Sequence, residues 1–258
     1  MRRLLSFLIA ILTVTSLPLF SKPLSLRRNE LTFGRQSIAL HRQKAGSVQH
    51  GVLQGWELTY DRLKRYGWYV GVDAAYAKGK LKGESLFGSK LHSTFSQGYA
   101  EGLFGYTFQQ KTCFQVACTP FVGGGYLQQK NHFSLPSPLP VHFKTTYSYA
   151  AAGIRLFTTL FWGMDVSLIA KVKFPVEPSC TVTHDPENDS VSQKIGERPH
   201  YRIDLPINYA LFCDGRVNLQ LKLFYEVQNF GKRINMPFDY AKTRLRFWGT
   251  ACAVDLRL

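Results

Sequence analysis

Hydrolytic or transfer chemistry run by side chains alone needs a nucleophile or an activated water, a base, and an acid that orients the base. Two stretches of this 258-residue sequence hold parts of that set: His132-Phe133-Ser134, and His184-Asp185 in its longest polar segment. Neither is completed locally. After Ser134 the next Glu is Glu177, and a His-Asp dipeptide in a polar segment is ordinarily a pair of solvated side chains. A protein that is not an enzyme is therefore expected, with no catalytic residue assigned. Five cysteines, Cys113, Cys118, Cys180, Cys213 and Cys252, show no zinc-ligand spacing, so no metal or other cofactor is expected. Their odd number leaves one without an internal partner, which points to an intermolecular disulfide or a free thiol. The interval from Cys113 to Cys118 can close a small ring at a turn; the alternative for Cys118 is a small strand residue with no covalent role.

A second group is charged rather than reactive. Glu57, Asp61, Asp73, Glu101, Arg155, Asp165, Lys171, Lys173, Arg202, Asp204, Lys222 and Glu226 fall among alternating apolar residues, as the polar face of an enclosed sheet requires. There they would form an ion-pair network, or more plainly keep an interior hydrated. A third group is basic: Lys78, Lys80, Lys82, Lys130, Lys144, Lys232 and Arg233, with Arg42, Lys44, Arg244 and Arg246 beside them.

The elements that hold these residues read as strands. Met1-Arg2-Arg3, an apolar run to Phe20 and then Ser21 have the layout of a secretory signal peptide over residues 1–21, with an uncleaved anchor as the alternative. Residues 22–258 then form one domain, in which 22–30 would be a periplasmic N-terminal segment. Without Arg2 and Arg3 the 32 basic residues fall to 30 against 17 acidic ones, a net charge of +13. No second apolar run is long enough for a spanning helix, so any crossing must be by strands. Alternation of period two is clean over 164–174, 200–211 and 217–228. A soluble sandwich or lipocalin-like barrel alternates as well. Two features favour a membrane barrel: small and charged residues mixed on one face, as in Gly71, Asp73, Ala75, Ala77 and Gly79, and aromatics near the ends of the other, as in Trp56, Tyr60, Trp68, Tyr76, Tyr201, Tyr209 and either Phe247 or Trp248.

Connection lengths set the count. Short links at 64–67, 109–113, 160–163 and Cys213-Asp214-Gly215 alternate with long ones at 80–92, 130–144, 176–198 and 231–242. This is the periplasmic-turn, external-loop rhythm of outer-membrane barrels. The strand over 52–63 then needs a partner before it, and the only candidate is 31–41, joined through a loop at 42–50. Its alternation is poor, with Arg35 and Gln36 interrupting, but even-numbered closure demands it. The expected fold is an all-β, closed, antiparallel up-and-down transmembrane barrel of 10 strands, with eight as the alternative.

Thr119-Pro-Phe-Val-Gly-Gly-Gly-Tyr-Leu127 followed by Tyr149-Ala-Ala-Ala-Gly-Ile-Arg-Leu156 resembles adjacent central strands of the small OmpA-like and OmpX-like outer-membrane barrels, and the resemblance covers the chain from about Gly51 onward. It implies an outer-membrane location. Val254, Leu256 and Leu258 look like that family's C-terminal signal to the barrel-assembly machinery, although an aromatic usually stands where this chain has Leu258. The role expected is structural or that of a narrow, porin-like pore, with a surface adhesin or glycan-binding barrel as the alternative and a lipid A-modifying enzyme behind both. The basic residues at the outer rim would attract lipopolysaccharide phosphates or sulfated host glycans, or serve only as solvated charge. An exported barrel has no use for nucleic acid.

Overall fold

The computed structural model describes residues 28–64, 66–109, 116–138, 141–160, 164–185, 190–211, 216–236 and 239–258; the expected signal peptide lies outside them. Eleven strands follow one another: β1 (Arg28–Lys44), β2 (Ser47–Leu63), β3 (Gly67–Glu84), β4 (Lys90–Gln109), β5 (Val116–Ser134), β6 (His142–Thr159), β7 (Met164–Thr183), β8 (Ser190–Lys194), β9 (His200–Ala210), β10 (Val217–Phe230) and β11 (Thr243–Arg257). Neighbours in the chain pair antiparallel except β8 and β9; β7 pairs with both β8 and β9, and β1 pairs with β11 over fifteen positions, from Glu30–Arg257 to Lys44–Thr243. The wall is therefore a closed barrel of 10 strands, and β8 is a short ribbon laid on the outer extension of β7. Closure leaves no edge with unpaired amides, which a lipid surface could not satisfy.

Following paired residues from Lys80 of β3 through Val52, Ala39, Trp248 and Tyr225, and on around the wall, returns to β3 at Trp68, twelve residues lower. Strands staggered by that much across ten members tilt by about 40°. Residues facing out and residues facing in alternate without a break along most strands. On β10, Leu219, Leu221 and Leu223 are exposed, and Asn218, Gln220 and Lys222 are enclosed. Aromatic side chains border the outward apolar band. Trp56, Tyr76, Tyr126, Tyr201, Tyr225 and Trp248 rim its upper edge, and Trp68, Phe108 and Tyr209 its lower edge, as interfacial girdles do.

The segment that alternated poorly in the sequence is the 17-residue strand β1. Its pattern is disturbed because Arg35 points to the lipid side beside Trp56, while Gln36 turns inward and donates to the Trp56 and Tyr76 carbonyls at 3.1 and 3.4 Å. Four expected loops are shorter than the sequence suggested, among them 176–198, of which 176–183 belong to β7 and 190–194 to β8. The loop placed at 42–50 is a two-residue hairpin at Ala45 and Gly46, both at positive φ (47° and 78°), as a tight turn between twisted strands requires. Residues 80–84 and 90–92 belong to β3 and β4, and 130–134 and 142–144 to β5 and β6. Strands of 17 to 20 residues outreach the apolar band, so the barrel continues above it into water, where outward residues turn polar and the alternation fades.

Candidate functional site

Two surfaces carry the chemistry: the filled lumen, and the outer face just above the upper girdle. All twelve charged residues expected inside face the lumen. At its periplasmic end Arg155 Nη1 lies 2.7 Å from Asp61 Oδ2, and the Tyr69 hydroxyl donates to Asp61 Oδ1 at 2.8 Å. Arg257 Nη2 meets Asp165 at 2.5 Å and its Nε meets Glu30 at 3.3 Å. At mid-height Glu101 takes Lys171 and the Tyr149 hydroxyl (2.8 Å), and Lys173 lies 3.7 Å from both Glu101 and Glu226. Arg202 bridges Asp204 at 2.9 Å and Glu226 at 3.0 Å; Lys222 approaches Glu57 at 2.6 Å. Asp73 accepts from Thr59 at 3.2 Å and from Tyr99 at 3.3 Å. Charges buried this well persist only when paired, since removing one partner of such a pair costs about 3–5 kcal/mol.

Above the ion pairs lies an amide layer in which Gln129 donates to Gln97 at 2.7 Å and to Gln228 at 2.5 Å. Next comes an apolar plug built around Phe95, Leu127, Phe230, Leu245 and Phe247, all nearly or fully buried. Phe224 lies across Gly249, where a Cβ would come within 2.1 Å of the ring; only a glycine admits it. His200 belongs here: its Nε2 donates to the Asn229 carbonyl at 3.1 Å, leaving Nδ1 to accept from the Tyr147 hydroxyl at 3.2 Å. Cavities among these groups are small, about 50 Å³ beside Asp61 and Arg155 and about 10 Å³ beside Gln97 and Glu226.

On the outer face, register assembles what the sequence scatters. One row of paired residues runs Arg246, His41, His50, Lys82, His92, and the next runs Trp248, Ala39, Val52, Lys80, Thr94, His132, His142. A third joins Gln54, Lys78, Ser96, Lys130 and Lys144. Five expected rim residues, Lys78, Lys80, Lys82, Lys130 and Lys144, thus stand in one belt of cations and hydroxyls above the girdle. Lys232 and Arg233 are exposed in the 231–240 segment, where Lys232 pairs with Asp239 at 3.3 Å. Arg42 and Lys44 do not join the belt, since both face the lumen.

The sequence pointed to His132 and His184 only as parts of incomplete catalytic sets, and not to a cluster of histidines. Five of the seven project from this belt, and His184 packs on it, its ring 4.2 Å from His142, which stacks at 4.2 Å on His132. No sequence spacing signals this, because residues 41 to 184 meet only through strand register. Partial burial, then the cations Lys130 and Lys78 and the His184 imidazole, hold the His132 imidazole below its ordinary value, with His142 stacked beside it. His142 is lowered in the same way, by burial and then by His132 and His184. Of the disulfide candidates, Cys113 lies outside the described residues, and Cys118 is a free thiol on the outer wall, as is Cys252.

No family model and no curated protein matches the sequence. Among solved structures the chain is similar to the outer-membrane protease OmpT of Escherichia coli (TM-score 0.56, 8% identity, 93% of this chain and 99% of that one). It is also similar to the translocator domain of the autotransporter NalP of Neisseria meningitidis (TM-score 0.50, 7% identity, 98% and 95%). Identities this low speak for the fold alone. The closed barrel, its girdled apolar band and these likenesses make the chain an integral β-barrel of the outer membrane.

Proposed function

We propose that this protein is a closed structural barrel that conducts no solute and whose working surface is the outer belt, which holds the phosphate groups of outer-leaflet lipopolysaccharide. The observation that carries the reading is the coincidence of a filled lumen with a row of cations in register immediately above the aromatic girdle. A pore would need a continuous polar path, whereas the ion-pair layer here is capped by the Phe95–Phe230–Phe247 plug. Phosphates of the outer leaflet lie at the height where Lys78, Lys130, Lys144 and Arg246 emerge, and each such cation near an anionic surface contributes about 1 kcal/mol.

The last strand supports assembly: β11 turns Trp248, Val254 and Leu256 outward and pairs along its length with β1, which suits it as the segment the barrel-assembly machinery receives. A sulfated host glycan would use the upper part of the same belt, and an adhesin is the second reading. The test compares wild type with a Lys78→Gln, Lys130→Gln, Lys144→Gln variant purified from outer membranes. Less co-purified lipopolysaccharide, in a barrel that still shifts on a gel when heated, supports the proposal; unchanged retention contradicts it.

A further inference from the structure

At the outer mouth, Arg42 and Lys44 project from the end of β1 into the barrel rather than onto its surface. Arg42 donates to Gln49 at 2.5 Å and lies 6.0 Å from the Phe133 ring; Lys44 Nζ is held between the rings of Phe143 (4.5 Å) and Tyr240 (4.8 Å). Among the described residues no carboxylate forms an ion pair with either. The titratable groups facing the small space beside them are Arg42, Lys44, Cys180 and Tyr240, and none is an acid that could neutralise two cations. Enclosed charge without a counter-charge is costly, in contrast to the paired charges lower in the lumen.

The same space is lined by Asn131, which is nine-tenths buried and has no hydrogen-bond partner at either Nδ2 or Oδ1. A buried amide with four unused hydrogen-bonding positions marks a place where something else binds. The cavity holds about 20 Å³, room for one particle the size of a water molecule and too little for phosphate or sulfate.

We propose that the outer mouth of the barrel binds a small monovalent anion of the halide class between Arg42, Lys44 and the amide of Asn131. The two cations supply the charge and Asn131 Nδ2 a neutral donor, leaving Oδ1 for an N–H of the same cations. Burial, with Arg42 alongside, pushes the Lys44 ammonium down to about 8; a bound anion opposes that shift and keeps the mouth fully charged. This site is independent of the outer belt, whose residues face the opposite side of the wall.

The test follows thermal unfolding of the detergent-folded barrel in sodium chloride or bromide against sodium gluconate at equal ionic strength. The wild-type midpoint is expected to rise with halide concentration and saturate. Asn131→Leu and Lys44→Met should lose that dependence while staying folded in gluconate. No halide-specific rise, or the same rise in both variants, would overturn the proposal. Should the variants not fold, crystals of wild type grown in bromide decide: an anomalous peak beside Asn131 supports the site, and a map without one there refutes it.

Discussion

The Arg155 guanidinium on β6 reaches across the barrel to Asp61 on β2, four strands away around the wall, and meets it at 2.7 Å with both side chains largely enclosed. A bond of this kind joins opposite walls, so it acts on the barrel's cross-section as well as on local packing. Arg155→Leu alone is expected to destabilise the barrel by about 3–5 kcal/mol, because Asp61 is left charged and unpaired. Adding Asp61→Leu should recover most of that loss. Urea unfolding in lipid vesicles measures both; a double variant as unstable as the single one would mean that packing of the arginine stem, and not the ion pair, carries the effect.

The assignment of faces predicts a contrast between two leucines. Leu221 is 46% exposed on the lipid side and Leu127 is 0% exposed inside. Leu127→Ala should cost about 2–5 kcal/mol through lost burial and a cavity. Leu221→Ala should fold nearly as well as wild type, since acyl chains fill the gap. At Leu221 it is arginine that hurts, by about 2–4 kcal/mol near the membrane midplane. Equal sensitivity of both positions to alanine would place Leu221 in a packed core and reverse the face assignment.

That contrast also shows what the sequence could reveal. Over β7, β9 and β10 one face meets lipid and the other a charged interior, so alternation and the charged positions were both readable. On β1 the lipid-facing Arg35 spoiled the pattern, and only the need to close the barrel pointed to a strand. Lys80 and Lys82 looked like loop because β3 leaves the membrane there and its outward residues meet water. Glu30, Asp255 and Arg257 were overlooked because they stand at the two chain ends that meet where β1 and β11 close the wall. The histidine belt and the Arg42–Lys44 mouth depend on register between distant strands, which no local spacing encodes.

The belt should respond to pH. His132 and His142 are held below their ordinary values by partial burial and by neighbouring cations and rings, so the folded protein disfavours their protonated forms. Their contribution to stability is present above about pH 6.5, the unfolded value, and is lost as pH falls through the lowered folded values. Protection factors at the outer ends of β5 and β6, that is, exchange rates corrected for the base-catalysed intrinsic rate, should therefore fall as pH drops from about 7.5 to about 5.5. His132→Gln should flatten that dependence, and added lipopolysaccharide should suppress it by pairing the new charge. Protection factors that do not change with pH would remove these two rings from the charge balance of the belt.

The claim that the lumen is closed is tested most directly by electrical recording. Wild-type barrel inserted into planar lipid bilayers is predicted to give no steady ionic current, because the Gln97–Gln129–Gln228 layer and the Phe95–Phe230–Phe247 plug lie across the path. Replacing Phe95, Phe230 and Phe247 together with alanine, in a barrel that still folds, should open a measurable leak. A steady open channel in the wild-type protein would contradict the account.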